Sequence, residues 1–144
     1  MFELKRKKSR GEALSEKEKT FLSLVEISNS VYLYLMQSDY DERLSFARVL
    51  GQTLSALRIS QAELAGKLGK SSAWISLAKK RLRPFEDFHF YVFERLSGGL
   101  IHADQWLQLY ERDGMHSIKQ REKEFRDKAK GLIEPFSTDF LFKA

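Results

Sequence analysis

Residues 60–77 read SQAELAGKLGKSSAWISL, two short helices folded about a tight turn. Ser60 and Glu63 make the Ser-x-x-Glu capping box that opens the first helix. Leu64, Ala65 and Leu68 fall on one face at helical spacing. Gly69 sits where a sharp helix exit needs left-handed backbone. Ser71 can cap the second helix, and Ile75 turns its apolar face to the core. This is the helix-turn-helix pattern, whose second helix lies in the DNA major groove, and here it extends over residues 60–82.

Charge concentrates on the same stretch. The chain carries a net charge of +5 over 144 residues. From residue 58 to 83 there are seven basic side chains and only Glu63 acidic, while residues 1–14 add Lys5, Arg6, Lys7, Lys8 and Arg10. The remaining segments are mildly acidic. A basic run by itself is commonly a solvated face. Its coincidence with the motif favours a phosphate footprint, because counterion release needs cations gathered on one surface.

Composition bounds the rest. The length fits one domain, or one domain with a tail, and 42% apolar residues support a real core. There is no cysteine, hence no disulfide scaffold or thiolate metal site, which is compatible with a reducing cytosol. The longest apolar run, 31–36, is far too short for a bilayer, and the basic N-terminus lacks a secretion signal's apolar region. The expectation is a cytoplasmic, nucleoid- or plasmid-associated protein with no membrane partner.

Outside the motif the pattern is helical, predicting an all-α, compact multi-helix domain. A second capping box at Ser15–Glu18 opens a segment containing Phe21, Leu24, Val25 and Ile27. Residues 30–37, SVYLYLMQ, suit a strand by composition and a helix by continuity, with helix preferred. Asp39 or Asp41 is expected to start the next helix, whose buried side includes Phe46, Val49, Leu50 and Leu54 and packs behind the motif. Pro84 closes the motif. Further helices are expected at 85–97, 102–112 and 117–133. The division is a flexible basic arm at 1–14, a helical domain at 15–134 and a tail at 135–144.

The aromatic helix at 85–97 (Phe85, Phe88, Phe90, Tyr91, Phe93) reads as core or dimer contact before a base-stacking platform, since such platforms are usually sheets. Ile118, Phe125 and Leu132 recur every seven residues, which suits an internal packing seam and a partner helix equally. His89, His102 and His116 are scattered, with no spacing for a metal, and no glycine-rich phosphate loop occurs. The carboxylates of the last helix alternate with Lys and Arg as on a solvated face. Neither an enzyme nor a cofactor is indicated.

Gln61, Leu64, Ala65, Leu68, Gly69, Ser71, Ile75 and Ser76 together resemble the Cro/repressor type of helix-turn-helix. Lys70 in Leu68-Gly69-Lys70-Ser71 and the pair Trp74-Ile75 resemble the DNA-binding domain of plasmid-partition ParB/KorB proteins more closely. Arg81-Leu82-Arg83-Pro84 with Glu86-Asp87, and Gly99-Leu100 with His102-Ala103, resemble later elements of that domain, with spacings off by a residue or two. The likeness covers about residues 42–112. The partition family's nucleotide-binding domain has no counterpart, so nucleotide-dependent clamping is not implied.

The resemblance implies roles residue by residue. Gln61 would anchor a phosphate. Ser71, Ser72, Ala73, Ser76, Leu77 and Lys80 would face the groove. Serines read several bases and Ala73 can touch a thymine methyl, but no Arg, Asn or Gln offers a bidentate base contact. Lys70, Lys79, Lys80, Arg81 and Arg83 suit phosphates. Lys5, Arg6, Lys7 and Lys8 suit a minor-groove arm and a disordered tail equally. Trp74 reads as packing. The expectation is a sequence-preferring duplex-DNA-binding homodimer acting in plasmid partition or transcriptional regulation. The alternative is a protein-interaction module that keeps the helix-turn-helix as scaffold.

Overall fold

Serine hydroxyls set the main helix starts. In the computed structural model, which describes residues 2–142, Ser15 accepts the Glu18 N–H at 3.1 Å and Glu18 accepts the Ser15 N–H at 3.0 Å. This reciprocal cap opens the long helix α2, Glu16–Met36, preceded by α1, Phe2–Ser9. Residues 30–36 therefore continue a helix and form no strand. Asp41 caps only a single 3-10 turn, Glu42–Leu44. The next helix, α3 (Phe46–Leu57), starts later than either aspartate, at Ser45, whose hydroxyl accepts the Arg48 N–H. The remaining helices are α4 (Gln61–Lys67), α5 (Ser72–Lys79), α6 (Asp87–Leu96), α7 (Ala103–Gln120) and α8 (Glu122–Lys130). A 3-10 turn, Asp139–Phe142, follows. The chain is all-α, with no strand among the described residues.

One core joins α2 to α7. Phe46, at the first position of α3, is fully buried, with ring centroids 5.1–5.9 Å from Phe85, Phe93, Trp106 and Tyr110. Leu64 of α4 and Ile75 of α5 belong to the same cluster, so α3 supports that pair from behind. The aromatic helix α6 divides its residues. Phe90 and Phe93 are buried, while Phe88 and Tyr91 are exposed. His89 is buried too: its Nδ1 accepts the Glu86 N–H at 3.0 Å, and burial holds its pKa below the ordinary value. It is a neutral packing and capping residue, edge-on to Trp74 and Phe85.

Two boundaries differ from the sequence reading. The break expected near Gly114 does not occur, and α7 runs through it to Gln120, turning into α8 at Arg121. Beyond Gln120 every described residue is exposed. The N-terminal stretch expected as a flexible arm is helical over Phe2–Ser9, with Lys7 paired to Glu18 at 3.1 Å. That ion pair ties α1 to the first turn of α2.

Asp113 of α7 caps α3 from across the core. Its carboxylate accepts the Phe46 N–H at 3.0 Å and the Tyr40 hydroxyl at 3.4 Å. Burial raises its pKa, outweighing these hydrogen bonds. The pKa of the half-buried Tyr40 hydroxyl beside that carboxylate is pushed up to about 12, chiefly by desolvation. A raised carboxyl holds its proton more tightly in the folded than in the unfolded chain. Its contribution is therefore complete below the ordinary aspartate range and lost as pH rises through the raised value. Asp113→Asn, which keeps an acceptor for Phe46, should flatten that decline in thermal melts from acid to neutral pH. Asp113→Ala strands the Phe46 N–H and should cost about 1–3 kcal/mol.

Candidate functional site

The α4–α5 pair is built from local signals. The Ser60 hydroxyl accepts the Glu63 N–H at 3.1 Å, and α4 ends where Gly69 takes φ +68°. The Lys70 N–H then donates back to the Ala65 carbonyl at 2.9 Å, closing the turn. Ser71 accepts the Trp74 N–H at 3.0 Å and starts α5. Ile75 and Ala78 are buried at once, which leaves the opposite face of α5 open.

That open face carries Ser71, Ser72, Ala73 and Lys80, all exposed, with Ser76, Leu77 and Lys79 half-buried beside them. Lys70 is exposed at the turn, its ammonium 4.9 Å from the Trp74 ring centroid. Trp74 is half-buried with its edge toward Phe85 and His89, the packing role expected for it. Arg83 is exposed just beyond α5. Small hydroxyls, one methyl and exposed cations thus lie along residues 70–83.

Gln61 does not point away from the pair. Its Nε2 lies within hydrogen-bond distance of Ser72 O (2.9 Å), Ser72 Oγ (3.1 Å) and Ser76 Oγ (2.9 Å). Its Oε1 accepts from the Lys79 ammonium at 2.8 Å. Two amide hydrogens shared among three acceptors clamp α5 onto α4. Lys79 is thereby drawn inward, and burial lowers its pKa. A sequence cannot announce this clamp, because it depends on two helices meeting side by side.

Arg81 is exposed and also folds back onto α7. It adopts the left-handed backbone, φ +63°, uncommon for a side chain of its size. Its guanidinium lies over the Tyr110 ring at 4.3 Å, and Nη1 donates to the Tyr110 carbonyl at 2.8 Å. The group rests against Gly114 of α7, where an added Cβ would come within 2.6 Å of its Cζ. The Tyr110 hydroxyl in turn donates to the Ala78 carbonyl at 3.0 Å. Arg81 and Tyr110 therefore fasten the end of α5 to α7. The missing side chain at Gly114 leaves room for the guanidinium in this position.

This lock predicts a change of sign. Gly114→Ala gains about 1 kcal/mol of helix propensity but displaces the guanidinium, forfeiting a cation–π contact and a charge-assisted hydrogen bond of about 1–3 kcal/mol. It should destabilise the native chain and stabilise an Arg81→Ala background. Denaturant melts of the four proteins should show a coupling energy above about 1 kcal/mol, and additivity within about 0.5 kcal/mol would refute the lock.

The N-terminal cations meet α2. Lys7 pairs with Glu18, and Lys5 and Lys8 border a hollow of about 190 Å³ with Leu22 and Val25. Arg6 is exposed on the same helix. Among the described residues no cluster of three or more metal-ligating side chains occurs, and no helix is long and apolar enough to cross a membrane. In comparisons with known proteins, the chain matches no family model, no curated protein and no solved structure.

Proposed function

We propose that α4, the turn at 68–71 and α5 form a helix-turn-helix that docks on duplex DNA, with α5 in the major groove. The supporting observation is the exposed face of α5. It is small and hydroxyl-rich at Ser71, Ser72 and Ala73, and it lies within the most basic segment of the chain. Lys70, Lys80 and Arg83 serve as phosphate contacts in this reading, since their side chains are exposed. Gln61 and Lys79 act as positioning residues that hold α5, and Arg81 supports the helix from behind. Ser76 and Leu77, half-buried, border the contact.

Short hydroxyls accept and donate to more than one base, so α5 alone gives modest discrimination. A second copy reading an adjacent half-site supplies the remainder, as two-fold helix-turn-helix proteins do. The resemblance of residues 42–112 to partition-type DNA-binding domains supports a role in plasmid partition or transcriptional regulation. Selection from a random duplex pool tests both points, because an inverted repeat among bound sequences reports specificity and pairing together. Titration of duplex DNA at two salt concentrations tests the electrostatics. Absence of binding at low salt, or binding without a salt slope, refutes the DNA reading.

The alternative, a protein-interaction module, draws on a different observation. Ile118 of α7 and Leu132, Ile133 and Phe136 beyond α8 are all more than half exposed. Of these, Ile118 borders the end of α5.

A further inference from the structure

Where the end of α5 meets the α7–α8 elbow, a groove of about 390 Å³ has an apolar floor and a cationic rim. Its floor includes Leu82, Ile118 and Phe125, exposed at 61%, 53% and 36%. Such groups are ordinarily covered when gathered in one place. Lys79, Lys80, Arg81 and Arg121 line the same groove against a single acid, Asp113, which is already occupied by Phe46 and Tyr40. Glu124 offsets part of this charge through its pair with Arg121.

Ile118 and Phe125 are one heptad apart and lie on the same groove despite the break at Arg121, with the Arg121 guanidinium 4.4 Å from the Phe125 ring centroid. On α8 the cations Arg121 and Arg126 are paired with Glu124 and Glu122, so among the described residues the unpaired charge of the groove lies on the α5 side, at Lys79, Lys80 and Arg81. Two copies of this chain apposed groove to groove would set these cations of one against the same cations of the other. Phosphates could meet the rim but gain nothing from the floor. The occupant that satisfies both is an amphipathic helix with an apolar stripe and acidic flanks.

We propose that the groove of Leu82, Ile118 and Phe125 is a docking site for an acidic amphipathic helix of another protein. This is the helix-in-groove mode, with apolar anchors supplying contact area and the basic rim setting orientation and partner choice. The groove shares Lys79, Lys80 and Arg81 with the end of the α4–α5 unit, while its apolar residues Leu82, Ile118 and Phe125 lie outside α5.

The test pans a phage-displayed library of random peptides, about four helical turns long, against the full chain. Enriched sequences should carry apolar residues at i, i+3 or i+4, and i+7, flanked by Asp and Glu. The double variant Ile118→Ser, Phe125→Ser should melt like the native chain and bind a selected peptide at least roughly tenfold more weakly. Added salt should weaken the native complex. Failure to enrich any sequence overturns the proposal, as does enrichment of basic or uncharged peptides or undiminished binding to the double variant. Sedimentation of the native chain as a dimer that the double variant dissociates would assign the groove to self-pairing. Protection of Ile118 and Phe125 by duplex DNA alone would assign it to nucleic acid. Either result overturns the proposal.

Discussion

Replacing Phe46 with alanine is expected to cost about 3–5 kcal/mol, the range for deleting a fully buried aromatic ring. Domains of this size have total stabilities of about 5–15 kcal/mol, so the variant should be close to unfolding at room temperature. The size of the effect follows from position. Phe46 begins α3 and touches rings from the 84–86 loop, α6 and α7, so its loss opens the contact that holds three segments together. No single neighbour can move in without abandoning another. Urea melts should show a lower midpoint with an unchanged slope. Phe88→Ala is the comparison, because Phe88 is exposed on α6 and its loss should stay within about 0.5 kcal/mol. A cost below about 1 kcal/mol for Phe46→Ala would mean that the core does not close around this ring.

The second large effect concerns the proposed contact with DNA. Replacing Lys70, Lys80 and Arg83 together by alanine should lower affinity for duplex DNA at least roughly tenfold. It should also reduce the slope of log affinity against log salt by about one unit for each cation removed. Site preference should survive, since phosphate contacts carry register and no sequence information. Arg81→Ala should behave differently. Its guanidinium is turned onto Tyr110, so the change should appear as lower stability with little change in salt slope. Equal losses of slope from Arg81 and from Lys80 would show that Arg81 swings outward when DNA binds. Anisotropy titrations at several salt concentrations separate these outcomes.

The α4–α5 pair was legible because its instructions are local. Ser60, Glu63, Gly69 and Ser71 each act within a few residues, and every one performs the task its position implies. Trp74 was also readable as packing, since it adjoins Ile75 on the helix. The start of α3 was less clear: three residues that can cap, Asp39, Asp41 and Ser45, compete nearby. Ser45 prevails because Phe46 must enter the core and Asp113 waits there for its N–H. The course of α7 was hidden, because glycine in a helix normally marks weakness. Here Gly114 answers to Arg81, a residue distant along the chain. The contacts of Gln61 and Lys79 with each other and of Arg81 with Tyr110 were equally invisible, for cations and amides in a basic segment look alike until neighbouring helices claim some of them.

The contact between Arg81 and Gly114 also bears on descent. A side chain at position 114 and a long cation folded back from position 81 compete for one space. Lineages carrying this fold should therefore change the two positions together, or neither. A relative with alanine or serine at 114 should carry a short residue at 81, with glycine favoured there by the positive φ. The pair then serves as a ruler for aligning diverged sequences across the stretch between α5 and α7.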